Sequence, residues 1–266
     1  MENSLEIAPG IPSWDAYKPA NTILKDRIIL ITGAGSGIGR AASFAYAAHG
    51  ACVILLGSAQ RLLESVYDEI ETAGYPTPAI YTLNLEKAQP EDYLGLANSL
   101  QQEFGRLDGL LHNAAILPFL SRIDDYDPKA WQQVMQVNLN APFLLTQACL
   151  PLLRTAPDAS ILFTSDAVGR NGKAYWGAYS VAKFGLEGLM QVLAAELDGT
   201  SNIRVNSIDP GAVRTQMRIQ TYPGVDPAQW PIPEQIMNPY IYLLGPDSRN
   251  ITGQSFNAQP NIISIL

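Results

Sequence analysis

The sequence predicts a doubly wound α/β domain, a parallel sheet of about seven strands with helices on both faces. Three observations lead there. From Asp26 onward, short apolar, β-branched runs alternate with longer amphipathic stretches, the pattern of strands buried on both faces by crossover helices. The first of these runs is followed at once by a glycine-rich turn that opens a helix. No internal repeat or glycine-serine linker interrupts the alternation, so one domain accounts for the chain more simply than two.

Residues 1–26 are punctuated by Pro9, Pro12 and Pro19 and carry no helical or strand period, which predicts a loosely attached N-terminal extension. Residues 27–266 are read as the single Rossmann-type domain. Its strands are placed at Arg27 to Ile31, Cys52 to Leu56, Ile80 to Leu83, Gly109 to His112, Ser160 to Thr164, Ile203 to Ile208 and Gln254 to Phe256. A helix over Ala41 to His49 follows the glycine turn. The clearest helix start is Asp127-Pro128, since an aspartate caps free amides and proline suits the first helical position; that helix is expected to reach Asn140 or beyond.

Composition narrows the function. A chain of 266 residues that is 47% hydrophobic and 16% charged has ample material for a core and is neither disordered nor low in complexity. A formal charge of −8 gives no attraction to nucleic-acid backbone or anionic lipid, so neither is expected as a partner. The apolar runs fall short of the ~18 residues of a spanning helix. The N-terminus lacks the basic start and apolar stretch of a secretory signal, and a cytoplasmic location is expected. Cys52 and Cys149 are too few for a disulfide framework and read as a buried, reduced pair.

The turn Thr32-Gly33-Ala34-Gly35-Ser36-Gly37-Ile38-Gly39 lies between a strand and a helix. Glycines there permit a tight turn, let a pyrophosphate approach bare backbone, and set it at the positive helix N-terminus. The plain alternative is a turn used only for helix-sheet packing. At the end of the second strand an acid would favour NAD by bonding the ribose hydroxyls, and an arginine would favour NADP by meeting its 2′-phosphate. The chain has neither: it reads Leu56-Gly57-Ser58-Ala59-Gln60-Arg61, so NADP is favoured over NAD on the missing acid, with Arg61 or Arg40 left to supply positive charge.

In Trp176-Gly177-Ala178-Tyr179-Ser180-Val181-Ala182-Lys183 a phenol and an ammonium stand four residues apart, on one helix face. A neighbouring cation favours phenolate and moves a phenol toward useful proton transfer. A tyrosine-lysine pair on an ordinary helix is the bland reading of that spacing alone. Taken with the glycine turn, His112-Asn113-Ala114-Ala115, Asn138 in Val137-Asn138-Leu139, and Asp209-Pro210-Gly211-Ala212-Val213-Arg214-Thr215, the chain resembles the short-chain dehydrogenase/reductase family over residues 26 to 258. Arg27 to Leu30, Val134 to Asn138, Trp176 to Tyr179 and Phe256 to Pro260 are similar to its bacterial YciK-like oxidoreductase branch.

The resemblance implies hydride exchange between a nicotinamide and a small carbonyl or alcohol substrate. Tyr179 would be general acid in reduction and base in oxidation, with Lys183 lowering its pKa and holding the nicotinamide ribose. Asn138 would interrupt a helix and anchor a water that links the lysine to solvent. Gly33, Ser36, Gly37 and Ile38 would line the pyrophosphate, Asn113, Ala114 and Ala115 the adenosine ribose, and Pro210, Gly211, Val213 and Thr215 the nicotinamide end. Gly57, Ser58, Asn84 and Leu85 complete the adenosine side, Asn84 replacing the family's usual aspartate.

A catalytic position also departs from the family. The serine thirteen places before the tyrosine is Asp166 here, and Ser165 is one place too early, which at a strand end turns a side chain to the opposite face. An ionised Asp166 offers only acceptors, repels charge developing on a reduced carbonyl and raises the pKa of Tyr179. Three readings stay open: a protonated Asp166 that donates, an Asp166 that pairs with a cation or accepts from a substrate hydroxyl, or a backbone shift that brings in Ser165. A fourth is a catalytically weakened nicotinamide-binding sensor or assembly protein.

His112 and His49 read as a packing residue and a helix C-terminal group, and with the two cysteines they show no ligand spacing, so no metal is expected. Asn250-Ile251-Thr252 fits a glycosylation acceptor but carries no meaning without a secretory signal. Met217 to Pro233, with Tyr222, Trp230 and four prolines, is expected to form a lid, with Tyr175, Trp176 and Leu117 to Phe119 on the opposite wall. A homodimer or homotetramer is expected from the family, and the apolar tail Ile262 to Leu266 is a candidate cover for a neighbouring subunit.

Overall fold

A computed structural model describes residues 11–259. Seven strands, β1 (Ile28–Thr32), β2 (Cys52–Gly57), β3 (Ala79–Thr82), β4 (Gly109–His112), β5 (Ala159–Thr164), β6 (Ile203–Asp209) and β7 (Ser255–Asn257), form one sheet in the order β3-β2-β1-β4-β5-β6-β7. Every pairing is parallel. The connecting helices are α1 (Gly37–Ala48), α2 (Gln60–Thr72), α3 (Pro90–Glu103), α4 (Pro128–Met135), α5 (Ala141–Thr155), α6 (Gly177–Leu197), α7 (Gln216–Thr221) and α8 (Met237–Leu244). Among the described residues, no helix is long and apolar enough to cross a membrane.

Alternation along each strand divides the core into two layers. On β1 and β2, Ile29, Ile31, Val53 and Leu55 pack with α1, α2 and α8 on one face, whereas Leu30, Ile54 and Leu56 pack with α3, α5 and α6 on the other. A third cluster joins α4 to the start of α6 through Val134, Ala178 and Ala182. Chain order reverses between β1 and β4, so a crevice opens beyond their carboxyl ends, where ligands bind in sheets of this kind.

The strand ends differ from the sequence reading by a residue or so, and β4 coincides with it. The helix announced by Asp127 begins as expected, its carboxylate accepting from Lys129 N and Ala130 N at 3.3 and 3.2 Å. It passes through a single π turn, Gln136–Asn140, before continuing as α5.

The extension is less loose than its prolines suggested. Of residues 1–26, those from 11 on are described, and Trp14 and Leu24 are buried in the core. Trp14 Nε1 donates to Asn257 O at 2.8 Å, and Asn238 Nδ2 donates to Trp14 O at 2.7 Å. Two apolar side chains anchor a segment that has no periodicity of its own. The reading of both cysteines as buried also needs correction: Cys149 is buried, its thiol pushed up to about 12 by burial, but Cys52 is only half-buried, and both are free thiols. The apolar tail Ile262 to Leu266 lies outside the described residues.

Candidate active site

The glycine turn is shaped by what surrounds it. Gly33 has φ +67° and a Cβ there would lie 3.0 Å from Ala114 Cα; one on Gly39 would meet the Gly33 carbonyl oxygen at 2.1 Å. The turn is pinned to β4 by Thr32, whose Oγ1 accepts from Asn113 N at 2.9 Å and Ala114 N at 3.0 Å. Ser36, at the N-cap of α1, makes no side-chain cap, so the first amides of a twelve-residue helix are free to meet an anion. This bare backbone fits a dinucleotide phosphate.

All the proposed nucleotide-contacting positions line one cleft of about 450 Å³: Gly33, Ser36, Gly37, Ile38, Gly57, Ser58, Asn84, Leu85, Asn113, Ala114, Ala115, Pro210, Gly211, Val213 and Thr215, together with Asp166, Tyr179 and Lys183. Asn138, the remaining catalytic candidate, is not among the residues lining the cleft. It is buried in the π turn, where its Oδ1 accepts from Ile116 N at 2.8 Å and its Nδ2 donates to Ile116 O at 2.9 Å, bracing the segment that follows β4. Neither arginine considered for a 2′-phosphate lines the cleft: Arg40 pairs with Glu69 and Glu234, and Arg61 is exposed.

At the other end, Tyr179 and Lys183 sit one turn apart on α6. Lys183 Nζ lies 5.5 Å from the Tyr179 ring centroid and donates to Thr164 O at 2.6 Å. Tyr179 donates its hydroxyl proton to Asp166 Oδ2 at 3.3 Å, while Asp166 Oδ1 accepts from Val168 N at 3.0 Å and caps the short turn Ala167–Gly169. Ser165 is buried and its hydroxyl has no hydrogen-bond partner among the described residues. Asp166 and Ser165 both line the cleft, and it is Asp166 that contacts the phenol.

Electrostatics corrects one expectation. Burial, reinforced by the Asp166 carboxylate and its hydrogen bond, holds the Tyr179 phenol well above its ordinary range rather than lowered by Lys183. The lysine is across the ring and spent on a carbonyl, whereas the carboxylate touches the hydroxyl itself. Burial pulls the Lys183 ammonium down to about 8, against the opposing charges of Asp166, Asp209 and Glu187. Asp209, accepting from Gly211 N at 2.8 Å, is pushed up to about 6 by burial and by Asp166.

Several contributors escaped the sequence reading. Arg218 lines the cleft with its Cζ 4.0 Å from the Tyr222 ring centroid and 5.1 Å from that of Trp230, and its Nε is buried without a partner. A lone arginine among prolines carries no spacing signal. Leu83, Glu86, Ile116, Val137, Thr164, Gln216 and Thr221 also line the cleft. Of the expected substrate wall, Leu117 and Trp176 reach it, and of the expected lid Met217, Arg218 and Thr221 do, but Tyr175 is 56% exposed and Phe119 packs tilted against Tyr126.

His112 stacks on Phe163 at 4.7 Å with Nε2 2.8 Å from Thr146 Oγ1, and burial pulls its imidazole down to about 3. It is a packing group. Among the described residues no cluster of histidine, cysteine and carboxylate side chains is arranged to hold a metal ion.

A parallel sheet in this order, a glycine turn at its switch point and a Tyr-Lys pair over the crevice define a nucleotide-binding α/β oxidoreductase. The short chain dehydrogenase model matches residues 27–225, and the chain belongs to that family. The uncharacterized oxidoreductase YciK of Escherichia coli (strain K12) is 46% identical over 244 residues, spanning 92% of this chain and 96% of the relative. The crystal structure of a short chain dehydrogenase from Salmonella enterica serovar Typhi superposes with a TM-score of 0.90 at 46% identity, covering 92% of this chain and all of that one. One from Escherichia coli CFT073, complexed with NADPH, gives 0.89 at 47% identity, covering 91% and 100%.

Proposed function

We propose that this protein reduces a small-molecule carbonyl with NADPH as hydride donor, Tyr179 giving the proton. The observation that carries the reading is the buried Tyr179 lining the same cleft as the glycine turn, its hydroxyl in contact with Asp166 and Lys183 buried one turn on. When bound, the nicotinamide supplies the hydride. The amides of Ser36, Gly37 and Ile38 would hold its diphosphate, Asn113 to Ala115 would flank the adenosine ribose, and Pro210 to Thr215 the nicotinamide end. The complex of the 47% identical relative supports NADPH, as does the absence of an acid at Ser58.

A phenol held above its ordinary pKa is in the protonated form that reduction needs, but it is a weaker proton donor for it. Its hydroxyl turns from Asp166 to the substrate oxygen as charge develops there. Asn138 braces the Ile116 backbone that floors the cleft and so acts as a positioning residue. Asp166 also favours a second reading, a nicotinamide-binding protein with little turnover, because an acceptor stands where a donor would stabilise the alkoxide.

Titration with NADPH and NADH, followed by NADPH oxidation with a panel of ketones and aldehydes, separates the two. Reduction that falls about a hundredfold or more in Tyr179→Phe with unchanged NADPH affinity supports the enzyme; tight NADPH binding with no turnover supports the binding protein.

Phe143 on α5 and Val181, Phe184 and Val192 on α6 are apolar and 44–57% exposed, and we assign this face to a homodimer or homotetramer contact. Sedimentation of the intact protein tests it, a monomer at micromolar concentration contradicting it. The free thiols of Cys52 and Cys149 fit a reducing, cytoplasmic compartment.

A further inference from the structure

We infer that the substrate carries an anionic group, a carboxylate or phosphate, and that Arg218 is the residue that binds it. The inference rests on the reductase reading and adds a substrate class to it. Arg218 lines the same cleft as Tyr179 and makes no ion pair among the described residues; Arg61, Arg154, Arg214 and Arg249 make none either, but they do not line the cleft. Its guanidinium lies over the ring of Tyr222 and beside that of Trp230, and its Nε is buried with no acceptor. A buried donor left unsatisfied is costly, and two aromatic neighbours hold the planar fork without supplying the acceptor it lacks. A carboxylate or phosphate oxygen supplies that acceptor in bidentate geometry.

A row of aromatic side chains links Arg218 to the proton donor. Tyr222 neighbours Trp176 with ring centroids 6.5 Å apart, and Trp176 neighbours Tyr179 at 5.6 Å. The aromatic row runs from the arginine to the proton donor, and Leu117 and Met217 line the same cleft, while Thr215, the N-cap of the Arg218 helix, stands beside Gly37 of the glycine turn. The substrate that fits has a carbonyl at Tyr179, an apolar middle and an anion at Arg218. Because Asp166 and Asp209 place negative charge at the carbonyl end, the anionic group is directed away from them.

Ligand binding to the NADPH-loaded protein tests this without requiring turnover. The probes are two matched pairs, cyclohexanone against 4-oxocyclohexanecarboxylate and acetophenone against 4-acetylbenzoate, with inorganic phosphate as competitor. We expect at least one carboxylated member to bind about tenfold more tightly than its neutral partner, phosphate to compete, and Arg218→Gln to abolish the preference while leaving NADPH affinity within twofold. Arg218→Lys, which keeps the charge without the fork, retains part of the preference. Equal affinities within both pairs, including no binding of any member, overturn the inference, as does a preference that survives Arg218→Gln. A loss of NADPH affinity in Arg218→Gln assigns the arginine to the cofactor and overturns it too. Tyr179→Phe keeps the preference whether or not it reduces ketones, so failure of the chemistry and failure of the anion site are read separately.

Discussion

The two ends of the cleft are built from different materials. At the glycine turn the shape is made by backbone: Gly33 and Gly39 crowd any side chain, Gly37 holds a left-handed φ of +52°, and Thr32 ties β1 to the segment after β4 through main-chain amides. At the tyrosine end the shape is made by side chains held by irregular segments, with Asp166 capping a short turn, Tyr175 at φ +75° just before α6, and Arg218 on a six-residue helix amid prolines. A site made of backbone tolerates little change and suits a constant ligand. A site made of side chains on loops suits a variable one, and Asp166, in place of the family's serine, stands at that end.

The sharpest way to break the comparison is Gly39→Ala. One methyl group directed at the Gly33 carbonyl and Asn113 must shift the turn, so NADPH affinity should fall about a hundredfold and stability by about 2 kcal/mol. Cofactor titration and thermal melting check it; native affinity in this variant would show that the turn is not sterically fixed.

Asp166→Ser probes the other end. Serine still accepts from Val168 N and adds a donor for the substrate oxygen, so ketone reduction should rise about tenfold in kcat with NADPH affinity unchanged. The sign of the pH effect follows from the charge removed. Asp166 raises the Tyr179 pKa, so its loss lowers that pKa, and the alkaline limb of the reduction profile, where the phenol loses its proton, moves to lower pH. An unmoved limb means the carboxylate does not act on the phenol.

Tyr175→Gly is the smallest change. A left-handed φ on a tyrosine that is 56% exposed stores strain with little packing in return. Glycine should raise stability by about 0.5 kcal/mol in a denaturant melt. A loss of stability instead would mean that the exposed ring packs more than its surface suggests.

The same division explains what the sequence could reveal. The glycine turn was legible because steric exclusion leaves a fixed spacing, and the alternation of Ile29, Leu30 and Ile31 between two core layers was legible as an unbroken apolar run. Tyr179 and Lys183 were legible because four residues of helix make one face. Asp166 was visible as an anomaly but not its effect, since the dominance of burial and the carboxylate over the lysine depends on a 3.3 Å contact set by a three-residue turn. Arg218 and the anchoring of Trp14 were invisible, because each depends on partners far along the chain or in segments without a period.

The central claim is that Tyr179 passes a proton to a carbonyl that receives hydride in the same cleft. Its most direct test is label transfer from NADPH deuterated at nicotinamide C4, with wild type and Tyr179→Phe assayed in parallel on the ketone panel. We expect deuterium on the carbinol carbon of the product with the wild type, and formation of that product about a hundredfold or more slower with the variant at equal cofactor occupancy. NADPH binding without deuterium in any product, or a variant that transfers it at the wild-type rate, would contradict the account.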